Sequence, residues 1–413
     1  MAPRRFLIAY TAVAYAASLE VSNVFKMETR VLQTVRHARR VPARPYSVLR
    51  PLLATLLTLV VTTSAVPSIA QNADGLPQAI LEKNGAWSAA EARTVESFIA
   101  TNLEPFAEET SDAEQVAEAR DALLEPLNDL RAEAAFQSQY FRALAASLRN
   151  GQAGFAKIGR INAMMLGSRV VDAAIVPLLE TGITDEAPGV RYAAARSMLV
   201  VLTNEALGLR DNEKNRLITK LGDAAGNEAN GYVAGKLIEA IRATNVDAQV
   251  QILLDVFNSR VSLHAADPAL TYQPELTAMQ ELFIEGLGRP GGFGRDAARS
   301  FIQSAARYIR LTTNQLADDT VPEANQQAAV NLARQSYTVL SELAANAGQP
   351  GQRPADPVRF LPNNAARAAT LANEWPAFLA PGPLNLTEDE LSIADPNAPD
   401  PEPEPSEAPA AGE

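Results

Sequence analysis

The chain has no cysteine and only two histidines in 413 residues. The first absence excludes disulfides, thiolate catalysis, zinc–thiolate sites and an acylated cysteine anchor. His37 lies in a basic leader, which leaves His264 alone in the body. A lone imidazole lacks the companions of a typical transition-metal site. No Gly-x-Ser-x-Gly elbow accompanies it for a serine triad. It reads instead as a helix-end residue favoured by the macrodipole. Aromatics make up only 6% of the chain, and no stretch between about 76 and 380 alternates as a strand would. Positive charge is also in deficit. Residues 1–70 hold nine Lys/Arg and two Asp/Glu, a balance of +7; the whole chain stands at −12, so residues 71–413 carry −19. An acidic body argues against nucleic acid as a partner, because neutralising phosphates takes Lys and Arg.

What is present is alanine, leucine and helical periodicity, behind an address. Residues 51–66, PLLATLLTLVVTTSAV, form an uncharged apolar run preceded by Arg36, Arg39, Arg40, Arg44 and Arg50. Ser68 and Ala70 then stand at the −3 and −1 positions of a small-residue cleavage site. This is the secretory pattern, with cleavage expected after Ala70. The run is shorter than the roughly 20 residues needed to span a bilayer, so no stable membrane insertion is expected after cleavage. The expected location is periplasmic or extracellular. An earlier apolar stretch at 6–19 follows Arg4 and Arg5; a translation start at Met27 accounts for it, and a genuine anchor is the alternative. At the far end, residues 387–413 are rich in Pro and Glu and read as a disordered acidic tail, although Thr387 and Glu390 have the spacing of a one-turn capping box.

Helix starts mark the body between. Ser88-x-x-Glu91 and Ser111-x-x-Glu114 have capping-box spacing. Phe136, Tyr140, Phe141 and Leu144 mark one face of a following helix, as do Ile158, Ile161, Met165 and Leu166 of the next. Residues 71–155 read as an N-terminal helical region and 156–348 as helical repeats. Residues 349–386 read as an extension that Trp375 and Phe378 pin onto the last helices.

Residues 172–203 carry a specific pattern: Val176-Pro177-Leu178-Leu179, then Asp185, Val190-Arg191 and Ala193-Ala194-Ala195. This stretch resembles a HEAT repeat, in which an apolar-Pro-Leu-Leu helix, an Asp-bearing turn and a Val-Arg helix form one unit. The resemblance implies an all-α fold, an irregular HEAT-like superhelix built as a right-handed solenoid of helix pairs. It also implies that Asp185 and Arg191 tie neighbouring repeats together. Residues 212–244 and 247–288 read as two further helix pairs. Ile161, Tyr192, Val233 and Ala278 as comparable second-helix positions give spacings of 31, 41 and 45, around the roughly 40–47 residues of HEAT or armadillo units.

GLGRPGGFGR at 286–295 contains the Gly-x-Gly-x-x-Gly spacing of a dinucleotide loop. Such a loop needs a strand before it, whereas Leu276, Met279, Leu282, Phe283 and Leu287 repeat as a helix. The glycines therefore read as a connector between helices, with Arg289, Arg295 and Arg299 as candidate contacts for an anion or acidic partner. No cofactor and no metal are expected, and no catalytic residue stands out. Clustered acids such as Glu104, Glu108, Glu109 and Asp112 read as solvated faces. The functional expectation is an exported, non-catalytic scaffold that binds a protein partner. The alternative is a carboxylate-dependent enzyme acting on envelope or extracellular polysaccharide, which would need two carboxylates across a cleft.

Overall fold

Several helices begin where the sequence supplies a side-chain cap. In the computed structural model, which describes residues 75–244, 246, 248–288, 292–346, 359–379, 384 and 386–393, every regular element is helical and no strand occurs. All of these residues belong to the unit Asn72–Glu413. The leader with Met27 and Ala70, the loop residue Arg289 and the tail residues 394–413 lie outside the described residues.

The order is α1 Gln78–Leu81, α2 Ala89–Ala107, α3 Ala113–Asn128, α4 Ala134–Gly151, α5 Lys157–Gly167, α6 Val176–Gly182, α7 Pro188–Thr203 and α8 Asp211–Gly226. It continues with α9 Gly231–Arg242, α10 Gln249–Ala266, α11 Gln273–Gly288, α12 Arg295–Ala317, α13 Glu323–Asn346, α14 Ala365–Leu371, α15 Trp375–Leu379 and α16 Glu388–Leu391. Ser88 caps α2 and forms the reciprocal box with Glu91. The cap of α3 falls one residue later than the sequence spacing indicates. Asp112, with Gln115, makes the box, while Ser111 turns back to Glu108. A carboxylate at this position both accepts the backbone N–H and faces the positive end of the helix dipole.

Two sets of helices emerge from the packing. In one, α3, α5, α7, α9, α11 and α13 each lie against the next of the set. In the other, α2 packs on α4 and α4 on α6, while α8, α10, α12 and α14 follow one another. The pairs α2–α3, α6–α7, α8–α9 and α12–α13 also pack side by side. One continuous apolar core runs through both sets. Each fully buried Leu or Ile contributes roughly 1.5–3 kcal/mol by leaving water, and none of these helices could bury its stripe alone.

The inward face of α5 is rotated from the expected one. Gly159, Ala163, Met164 and Leu166 are buried, whereas Ile158 and Met165 are each 37% exposed. The reason is a close crossing: a Cβ on Gly159 would fall on the carbonyl of Phe106 at the end of α2. Small residues must face that contact, which pushes the larger ones outward. Trp375 is buried against Tyr337 of α13 and against Phe360 and Phe378.

The glycine segment joins two helices. Gly286 lies in the last turn of α11, Gly288 ends it, and α12 starts at Arg295. Gly286 is small because the ring of Phe293 lies on it, and Gly292 supplies the left-handed turn at φ 66°. Residues 387–393 fold back, with Thr387 and Glu390 forming the capping box of α16 and Leu391 buried against the core.

Candidate binding groove and its polar support

Helices α7, α9 and α11 expose a shared surface. Between them runs a groove of about 960 Å³. Tyr192 of α7 and Tyr232 of α9 stand at it, 37% and 83% exposed, and Pro274 of α11 completes its apolar lining. Asn230 accepts hydrogen bonds from the backbone N–H groups of Tyr232 and Val233, which fixes the start of α9 and so the place of the tyrosine. Gly235 leaves open space on the same helix. Lys236 sits 6.0 Å from the centre of the Tyr192 ring and pairs with Glu239. Arg242 pairs with Glu281 and Glu285 across α9 and α11. Both carboxylates that line the groove, Glu239 and Glu281, are thus neutralised by a neighbour.

Arginines hold the turns beside this surface. Arg160, the fourth residue of α5, pairs with Asp185 at 2.9 Å. Arg191, the fourth residue of α7, grips both oxygens of Glu228 at 2.6 and 2.9 Å. Its remaining nitrogen donates to the backbone carbonyls of Asp185 and Glu186 at 2.8 and 2.9 Å. Asp185 and Glu228 are equivalent. Each lies three residues before a helix and accepts from a backbone N–H two residues on, Ala187 and Asn230, at 2.8 Å. Asp185 and Arg191 therefore do not pair through their side chains; each serves a different neighbour. Side-chain hydrogen bonds to Glu228 raise the pKa of Arg191 further above its ordinary value.

A buried polar cluster continues the line. Arg260 and His264 of α10 and Glu275 of α11 are all fully buried. Arg260 binds Glu275 and donates to the carbonyls of Ala225 and Glu228 at 3.1 and 2.6 Å, which ties the end of α8 to α10. His264 Nε2 donates to Glu275 at 2.8 Å, and its ring stacks on Tyr272 at 4.1 Å. Tyr272 binds Gln315 of α12, whose amide donates to the His264 carbonyl at 2.7 Å. Burial opposes ionisation of Glu275, but electrostatic attraction and hydrogen bonds from Arg260 and His264 outweigh it and hold the carboxyl at about 2.

Sequence reading missed this cluster. It placed His264 correctly in the last turn of α10, but as an isolated group. The available signal was a charged Arg260 and His264 spaced i, i+4 within the otherwise apolar series Leu253, Val256, Phe257 and Val261. Charges at core positions require a buried counter-charge. Among the loop arginines, Arg295 is exposed, and Arg299 is occupied by Glu390 at 2.6 Å. Arg295 and Arg299 belong to α12, outside the lining of the groove.

Among the described residues no group of three His, Asp or Glu is disposed to hold a metal ion, and no helix is long and apolar enough to cross a membrane. What the fold and the groove define, among the described residues, is an all-α protein of packed helices with a polar-rimmed aromatic groove. No family model, curated protein or solved structure matches the chain.

Proposed function

We propose that this chain is an exported HEAT-like α-solenoid that holds a protein partner along the surface of its second helices. The solenoid reading rests on two supports. One is packing of like helices in each set on one another. The other is the repeated Arg–carboxylate register, Arg160 with Asp185 and Arg191 with Glu228. In such an array each unit stabilises only its neighbours, and the curved face of one helix set is open for binding. Asp185 and Arg191 act as bridging residues of that array. The export reading rests on the leader ending at Ala70.

The observation that carries the binding role is the pair Tyr192 and Tyr232 beside the groove. Tyrosines supply contact area at low entropy cost and are favoured in the centres of interfaces. Tyr232 at 83% exposure contributes little to folding. The carboxylate-enzyme alternative gains nothing from the groove, since its lining carboxylates are both ion-paired. The test replaces Tyr192 and Tyr232 together by Ala in the tagged full chain and compares captured complexes. The account expects loss of a recurrent partner while the helical circular dichroism is retained. Retention of the same partner at the same yield contradicts it.

A further inference from the structure

A second surface lies on α12. Along one side of this helix stand Arg299, Gln303, Arg307 and Arg310, and Leu384 with residues 386–393 covers them. Arg299 and Gln303 both donate to Glu390 Oε1 at 2.6 Å, Arg307 donates to the Glu390 backbone carbonyl at 2.8 Å, and Arg310 pairs with Glu388 at 2.9 Å. Leu384, Leu386 and Leu391 are buried beside these contacts. The covering segment thus has the chemistry of a short docking motif: spaced leucines around an acidic, self-capped turn.

Its hold on α12 consists of these polar contacts and the three buried leucines, with no longer element behind them. The single turn of α16 spans four residues, far too short to be stable by itself. The ion pair at its centre is partly exposed, 40% for Arg299 and 24% for Glu390, and such pairs contribute little in water. Segments of this kind open without unfolding the element beneath. The face they leave is basic on an otherwise acidic body, with exposed Arg295 one turn before Arg299 to extend it. We propose that residues 384–393 are a displaceable occupant of the α12 arginine face, and that this face docks an acidic, leucine-bearing segment of a partner protein. This surface is separate from the groove and stands or falls independently of it.

The test uses a labelled synthetic peptide of residues 384–393 and the full chain, wild type and Glu390→Lys. In the wild type the attached segment competes at an effective concentration in the millimolar range, so the added peptide binds weakly. Charge reversal at Glu390 weakens the attached copy, and the peptide should then bind at least about tenfold more tightly. Adding Arg299→Glu to Glu390→Lys restores the internal pair and should return binding to the weak level. Equal affinity for wild type and Glu390→Lys overturns the proposal. So does equal binding of a scrambled peptide or of inorganic polyphosphate to the Glu390→Lys chain, which would leave only a bare basic patch. A Glu390→Lys chain that loses its helical circular dichroism overturns displaceability itself.

Discussion

Arg191 makes four hydrogen bonds from three nitrogens, two to Glu228 and two to carbonyls of the preceding turn. Glu228 is only 5% exposed, so removing its partner leaves a carboxylate with little water to replace the lost bonds. Arg191→Ala should lower stability by about 1–3 kcal/mol, the range for hydrogen bonds to charged groups. Denaturant unfolding measures this, and an unchanged midpoint would deny Arg191 a bridging role. Glu275 offers a pH signature. Its carboxyl is held at about 2 in the folded chain against 4.5 for the free group. A depressed folded value contributes stability that is complete above about 4.5 and lost as pH falls towards 2. Glu275→Gln should therefore destabilise strongly at pH 7, by about 3–5 kcal/mol as expected for one member of a buried pair. That deficit should shrink across pH 4.5 to 2. A deficit constant with pH would mean that Glu275 is not ionised in the fold.

At the scale of the helices, α2 and α5 cross where Gly159 meets the carbonyl of Phe106. Backbone cannot yield as a flexible side chain can, so Gly159→Ala should cost about 1–3 kcal/mol through overpacking. A variant as stable as the parent would show that the crossing has slack. The same crossing explains an expectation that the structure reverses. Periodicity alone turned Ile158 and Met165 of α5 inward, because hydrophobic spacing carries no information about how closely a neighbour approaches. Caps and turns were legible instead: Ser88 with Glu91, Thr387 with Glu390, and the helix that runs into Gly286. Their signals are local, set by backbone groups within one turn of the residue. The partners of Asp185 and Arg191 were not legible, since Arg160 and Glu228 lie 25 and 37 residues away. Only the acids three residues before α7 and α9, Asp185 and Glu228, hinted at them.

Across the whole unit, short-range signals gave the helical class, while the groove required the packing of α7, α9 and α11. Tyr192 and Tyr232 sit 40 residues apart in sequence, too far for local periodicity to show that they share a surface. Each was visible as a helical aromatic, but neither announced its exposure. The proposed scaffold role depends on that shared surface being occupied. The most direct measurement places a photoreactive residue at Tyr232 in the full chain and, as a control, at the exposed Thr219 of α8 on the other helix set. After in-cell irradiation, mass spectrometry identifies the adducts. The account predicts one recurrent protein adduct from position 232 and none of it from position 219. Equal adducts from both positions, or a clean monomer from position 232, would contradict it.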